Sequence, residues 1–198
     1  YPGVTSVHLP FDILENPRKG TLMERNSSRF PGVSSLEGMN GCLAFTYVES
    51  DHENFCKGAT ATKSVFCFDN RIVFVGTGIS NNSEYKTGTT LYQFNIEDTE
   101  APIYVDGSYK NAFPYFETLN TNKTHVLSDC FNNFYIIPKG KGSKGITIER
   151  KSQTTPRNDK ITTGTGNFVS AYIDHGTSPQ NDSYEYLMLV EPSDIETK

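Results

Sequence analysis

The sequence predicts an all-β fold, an antiparallel β-sandwich of about eleven or more strands. Three observations carry that expectation. Hydrophobic residues make up only 35% of the chain while aromatics reach 12%, as 13 Phe and 11 Tyr without a Trp, a bias that favours pleated sheet over helix. Short apolar runs recur along the whole chain, separated by turn pairs such as Asp69-Asn70, Asp106-Gly107 and Asn132-Asn133. At 198 residues the chain is long enough to bury roughly 70% of its unfolded surface in one domain, without metal or disulfide staples.

The elements follow in order. Thr5–Leu9 is a short first strand. Phe11–Glu15 carries the one hint of a helical turn. Cys42–Glu49 alternates partly and is rich in aromatic and aliphatic residues. Thr62–Phe68 and Arg71–Ile79 flank Asp69-Asn70, two residue types that tolerate the positive φ of a tight hairpin turn. Thr89–Asn95, Ile103–Val105, His125–Cys130, Phe134–Pro138, Ile146–Gln153, Phe168–Asp174 and Tyr184–Val190 complete the set. No internal repeat or linker divides the chain, so residues 1–198 are expected to form a single sandwich domain. The first residue is Tyr1 rather than Met, so the chain is expected to be a fragment of a larger multidomain protein.

Composition excludes several functions. No apolar run approaches the roughly 18–20 residues of a membrane-spanning helix, so no membrane partner is expected. The formal charge of −5 argues against a nucleic-acid partner. The charge is uneven, however. Lys139, Lys141, Lys144, Arg150, Lys151, Arg157 and Lys160 outnumber Glu149 and Asp159 within one segment, which could attract a polyanion. Four cysteines, Cys42, Cys56, Cys67 and Cys130, lack Cys-x-x-Cys spacing, and the four histidines do not cluster. No metal site is therefore expected. Cys42 and Cys67 fall inside strand-like runs and are expected to be buried thiols, while three disulfide pairings stay open. No phosphate-binding loop, dinucleotide fingerprint or Gly-x-Ser-x-Gly elbow is present, and no cofactor is expected in this chain.

Individual side chains carry smaller expectations. His8 is expected at the edge or interior of a strand, in a structural role. Asp174 and His175 are neighbours in a strand, so they should face opposite ways and not pair with each other. Tyr184 and Tyr186 share a parity and should face one side.

One set of segments goes further. Pro2-Gly3-Val4-Thr5-Ser6-Val7-His8-Leu9-Pro10 is followed by Gly20–Gly41, which reads GTLMERNSSRFPGVSSLEGMNG. Lys63-Ser64-Val65, Thr89-Thr90-Leu91-Tyr92-Gln93, Gly166-Asn167-Phe168, Ala171–His175 and Ser183–Tyr186 come after it. In this order they resemble the polysaccharide lyases that cleave chondroitin sulfate and hyaluronan, and most of all the chondroitin sulfate ABC lyases. Each segment is weak alone; their combination over nearly the whole chain is specific.

The resemblance implies a super-sandwich-like domain following a helical toroid, which would be this chain's partner within the parent protein. It implies β-elimination on chondroitin or dermatan sulfate, or a related glycosaminoglycan, by a secreted or periplasmic enzyme. The toroid would supply histidine, tyrosine and arginine, and the sandwich a glutamate that maps to Glu37 in Ser34-Ser35-Leu36-Glu37-Gly38. The isolated chain would be inactive, and any divalent cation would sit elsewhere in the parent. Elimination needs the uronate charge neutralised, a base at C5 and an acid at the glycosidic oxygen. Glu37 is a poor oxyanion stabiliser because like charges repel, so a positioning role is expected, orienting a cationic residue or accepting sugar hydroxyls. Arg25 and Arg29 are candidate ligands for sulfate or carboxylate, and Ser35 and Asn40 for sugar hydroxyls. A non-catalytic carbohydrate-binding module using Lys139–Lys160, or a purely structural domain, is the competing expectation.

Overall fold

The computed structural model describes residues 1–10, 28, 30–49, 58–154 and 164–192. The expected helical turn at Phe11–Glu15 lies outside the described residues, as do Arg25, Arg29, Cys56, Arg157 and Lys160. Among the described residues every regular element is a strand. They are β1 (Thr5–Val7), β2 (Pro31–Leu36), β3 (Asn40–Val48), β4 (Thr60–Phe68), β5 (Arg71–Ser80), β6 (Lys86–Asn95) and β7 (Ile103–Val105). Then come β8 (Ser108–Lys110), β9 (Tyr115–Leu119), β10 (His125–Ser128), β11 (Phe134–Ile137), β12 (Ile146–Thr154), β13 (Thr165–Thr177) and β14 (Asp182–Leu189). They form a five-stranded sheet, β1-β6-β13-β12-β9, and a nine-stranded sheet, β2-β3-β4-β5-β14-β11-β10-β7-β8. All the strand pairs are antiparallel, as the sequence predicts for a β-sandwich.

The two sheets bury their facing sides against each other. Tyr92, Ile146, Ile148, Val169, Ala171 and Ile173 come from the smaller sheet; Phe74, Leu127, Tyr135, Ile137, Tyr184 and Tyr186 come from the larger. Tyr184 and Tyr186 do share the core side, with rings 5.9 Å apart. Tyr186 stacks on Phe74 at 4.7 Å within the larger sheet, and Tyr92 meets Tyr135 at 5.2 Å across the two sheets. A register shift between Ala171 and Tyr172 leaves Leu91 as an extra residue in β6. It lets consecutive Leu91 and Tyr92 both be fully buried, which strict alternation forbids.

The Asp69-Asn70 hairpin forms as expected, with Phe68 opposite Arg71 and Asp69 at φ 57°. Asp106 (φ 47°) and Gly107 (φ 90°), both left-handed, close β7 on β8 through another two-residue loop. Arg150 is the largest fully buried side chain among the described residues. It is 1% exposed, and its two terminal nitrogens donate to the carbonyls of Lys110, Ala112, Thr99 and Ala101 at 2.7–3.2 Å. One guanidinium thereby fastens two loops to β12.

Two expectations about thiols need correction or narrowing. Cys42 and Cys67 are half-buried rather than buried, because they sit on β3 and β4 near the end of the larger sheet. Cys42 lies opposite Phe66 and Cys67 opposite Gly41, so the two side chains leave opposite faces of the sheet. That register rules out a bridge between them. Cys42, Cys67 and Cys130 are free thiols.

Candidate functional site

The segment that carries most of the sequence-predicted site is the β2–β3 hairpin. Pro31 opens β2, a position where a missing N–H is tolerated on an edge strand. Leu36 pairs with Asn40, which leaves Glu37, Gly38 and Met39 as the loop. Glu37 (φ 54°) and Gly38 (φ 69°) both take the left-handed conformation, and Met39 N–H donates to Leu36 O at 3.2 Å. These are the φ signs of the mirror-image turns that match strand twist. Glu37 therefore stands at the apex of an edge hairpin, exposed, with no hydrogen bond or ion pair to its carboxylate among the described residues.

The hairpin does not gather its other candidates into one cluster. Ser35 is opposite Gly41, one step from the Leu36–Asn40 pair, so Ser35 and Asn40 leave opposite faces. Ser34 shares the Asn40 side and Ser35 the other. Arg25 and Arg29 cannot be placed, being outside the described residues. Residues 31–36 are not among the strands expected from the sequence; they form strand β2, exposed throughout. Val33 (83% exposed), Leu36 (63%) and Met39 (73%) make this edge unusually apolar.

The basic segment dissolves as a patch. Arg150 is buried on backbone carbonyls, Lys141 pairs with Glu185 at 3.1 Å and Lys151 with Glu149 at 2.5 Å. Of the described members, Lys139 and Lys144 are exposed without an ion pair. Sequence counts charges; it does not show that β12 alternates its side chains between core and solvent.

Asp174 and His175 separate as expected. Asp174 reaches Lys86 at 2.9 Å, while His175, completely buried, points the other way. Burial raises the Asp174 carboxyl, but the Lys86 and Gly176 hydrogen bonds outweigh it and hold the group below the usual carboxylate range. His8 packs edge-on against Tyr172 at 4.9 Å, a structural contact.

A polar chain that sequence reading misses runs between the sheets. His175 Nδ1 is 2.9 Å from Asp182, and its Nε2 is 2.8 Å from Thr89 Oγ1. Thr89 Oγ1 lies 2.5 Å from Thr5 Oγ1, which accepts from Lys63 Nζ. Lys63 also donates to Gly3 O and Tyr184 Oη, each at 3.1 Å. One donor assignment satisfies every link: Lys63 to Thr5, Thr5 to Thr89, Thr89 to His175 Nε2, and His175 Nδ1–H to Asp182. Burial raises the Asp182 carboxyl, and the opposing hydrogen bonds from His175, Ser143 and the Ser183 N–H bring it below the usual range. Burial alone pushes Lys63 down to about 7. These residues are scattered over five strands' worth of sequence, and no local motif signals them. Among the described residues no cluster of His, Cys, Asp or Glu could hold a metal ion.

With this geometry in hand, the comparisons with known proteins give the family. The model of the polysaccharide lyase family 8 super-sandwich domain matches residues 1–198, and the chain belongs to that family. It is 35% identical over 191 residues to a chondroitin sulfate ABC endolyase of Proteus vulgaris, covering 96% of this chain and 18% of that protein. It is 32% identical over 196 residues to a chondroitin sulfate ABC exolyase of the same organism, covering 96% and 19%. The chain thus spans less than a fifth of the length of these relatives. Among solved structures, a chondroitinase AC lyase studied as oligosaccharide complexes superposes with a TM-score of 0.75 at 25% identity, over 99% of this chain and 27% of that one. The chain is thus a super-sandwich domain of polysaccharide lyase family 8.

Proposed function

We propose that the parent protein cleaves chondroitin or dermatan sulfate by β-elimination, and that this chain is its single sandwich domain, seated beside a helical toroid. In this reading the β2–β3 hairpin carries Glu37 to the rim of the toroid's cleft. The observation that carries it is the position of Glu37: the apex of an edge hairpin, its carboxylate unpaired among the described residues, with exposed Leu36 and Met39 beside it. An edge strand with apolar side chains in solvent is a surface built to be covered. The names of the relatives, chondroitin sulfate ABC lyases, support the substrate.

The chemistry fits a positioning carboxylate. The C5–H of a charged uronate is a weak acid, and a cation must neutralise the carboxylate before a base can remove that proton. Glu37 orients the cation, since a carboxylate holds an Arg fork in plane. Arg25 and Arg29 bind sulfate or carboxylate, while Ser35 and Asn40 offer hydroxyl and amide contacts on opposite sides of the hairpin. The chain itself supplies no cofactor, and any divalent cation acts elsewhere in the parent. A polymeric glycosaminoglycan substrate supports an enzyme that is secreted or periplasmic.

The test is Glu37→Gln in the full-length parent, followed by appearance of unsaturated uronate product. The expected result is a kcat lowered about 100-fold or more, with KM and Tm held. An unchanged kcat removes Glu37 from the mechanism.

A further inference from the structure

The larger sheet is wider than the smaller one, and β1 is an edge of the smaller sheet. Beside β1, the inner side of β3, β4 and β5 faces no further strand among the described residues and lines a cavity of about 600 Å³. Leu9, Leu43, Phe45, Val65 and Phe74 belong to its apolar wall. Lys63 also lines it, only 7% exposed, and no carboxylate pairs with it among the described residues. The volume falls within the range of small-molecule sites, roughly 300–1,000 Å³.

Three oxygens receive the Lys63 ammonium, but one of them is doubly served. Gly3 O accepts from Lys63 at 3.1 Å and from Tyr184 Oη at 3.3 Å. Lys63 can therefore turn one N–H into the cavity while that carbonyl stays satisfied. Thr5 and Tyr184 hold hydroxyls beside the same nitrogen. A buried cation with no anion among the described residues, set at the wall of an apolar chamber, asks for a ligand with one negative head and an apolar body.

We propose that this cavity binds an apolar monocarboxylate, with the carboxylate on Lys63 and the hydrocarbon body against the Leu43–Phe45–Val65–Phe74 wall. The ion pair favours the charged ammonium, whose pKa in the empty site is about 7. Binding at pH 8 therefore takes up a proton. Among the described residues the other titratable groups lining the chamber are Tyr184 on β14, and Tyr47 and Glu49 at the end of β3, where the Tyr47 hydroxyl donates to Glu49. β1, β5 and β6 contribute none to the lining, although Thr5 leads through Thr89 to His175.

Calorimetric titration of the full-length protein with hexanoate, octanoate and decanoate, and with decanol as the uncharged control, tests this. Measurements at pH 8 in two buffers of different ionisation enthalpy count protons. The expected result is saturable one-to-one binding that tightens about fourfold per methylene, with decanol at least tenfold weaker than decanoate. Close to one proton is taken up per carboxylate bound. Lys63→Met abolishes the preference for decanoate over decanol. The proposal is overturned by absent or non-saturable binding, by decanol matching decanoate, or by no proton uptake in the unmodified protein, a readout that needs no variant.

Discussion

The ring of Tyr184 lies across Gly76. The two residues are partners between β14 and β5, and a Cβ at position 76 would stand 2.1 Å from Tyr184 Cε1. Gly76 has no positive φ, so it is required for space and not for conformation. The absent side chain is what lets the Tyr184 hydroxyl reach both Lys63 and Gly3 O. A glycine on β5 thus helps to set the polar end of the cavity, where Lys63 and Tyr184 meet.

Gly76→Ala is expected to destabilise the fold by about 1–3 kcal/mol through overpacking. The ring must move, because the Cβ meets its body and not a flexible tip. In a Tyr184→Leu background the same substitution should cost less, the two positions being in direct contact. Denaturant unfolding of the four proteins of this cycle measures the coupling. Equal cost in both backgrounds would separate Gly76 from Tyr184.

Lys63 gives stability a pH dependence whose sign is fixed. Its pKa is about 7 in the fold and close to 10.4 unfolded. Between those values the unfolded chain holds more protons, so stability rises with pH. Below about 7 both states are protonated, and the slope from this group vanishes. Comparing the unmodified protein with Lys63→Met from pH 7 to 9 isolates it. The difference should steepen towards about 1.4 kcal/mol per pH unit. Parallel stability curves would mean that Lys63 stays fully charged in the fold.

The sheets were readable from sequence wherever packing follows strand periodicity. All eleven expected strands exist, and the Asp69-Asn70 turn fell where its residue types placed it. β2, β8 and β9 escaped for local reasons: β2 opens on Pro31-Gly32, β8 spans three residues, and β9 follows Pro114. Glu37 was singled out by the family resemblance, and its place at the apex of a hairpin follows only from the pairing of Leu36 with Asn40. The opposite facing of Ser35 and Asn40 was not legible, since it depends on the register of a strand that sequence did not reveal. The chain from Lys63 to Asp182 was invisible, because Thr5, Lys63, Thr89, His175 and Asp182 meet only once both sheets are stacked.

Arg150 tests how much a buried cation can contribute through backbone carbonyls alone. Arg150→Met keeps much of the apolar stem but strips four carbonyls of their donor. A loss of about 3–5 kcal/mol is expected, as for removal of one member of a buried charged network. Arg150→Lys should rescue little, because an ammonium cannot reproduce the planar fork. Chemical denaturation reads both. Full rescue by lysine would show that charge, and not the fork geometry, holds the 99–101 and 110–112 segments.

Glu37 offers a way to separate backbone from carboxylate. At φ 54° it occupies a conformation that costs a non-glycine residue roughly 1 kcal/mol. The side chain is exposed and makes no bond among the described residues, so nothing in the sandwich offsets that cost. Glu37→Gly should therefore leave stability unchanged or raise it by up to about 1 kcal/mol. If the carboxylate positions a cation in the toroid's cleft, the same substitution in the full-length parent lowers kcat as far as Glu37→Gln does. Thermal unfolding and product formation, measured side by side, give the two readouts. A stabilised and fully active Glu37→Gly protein would leave the hairpin as a docking edge without a part in the chemistry. A stabilised and inactive one would mean that the left-handed residue is retained for its carboxylate, against the preference of the turn.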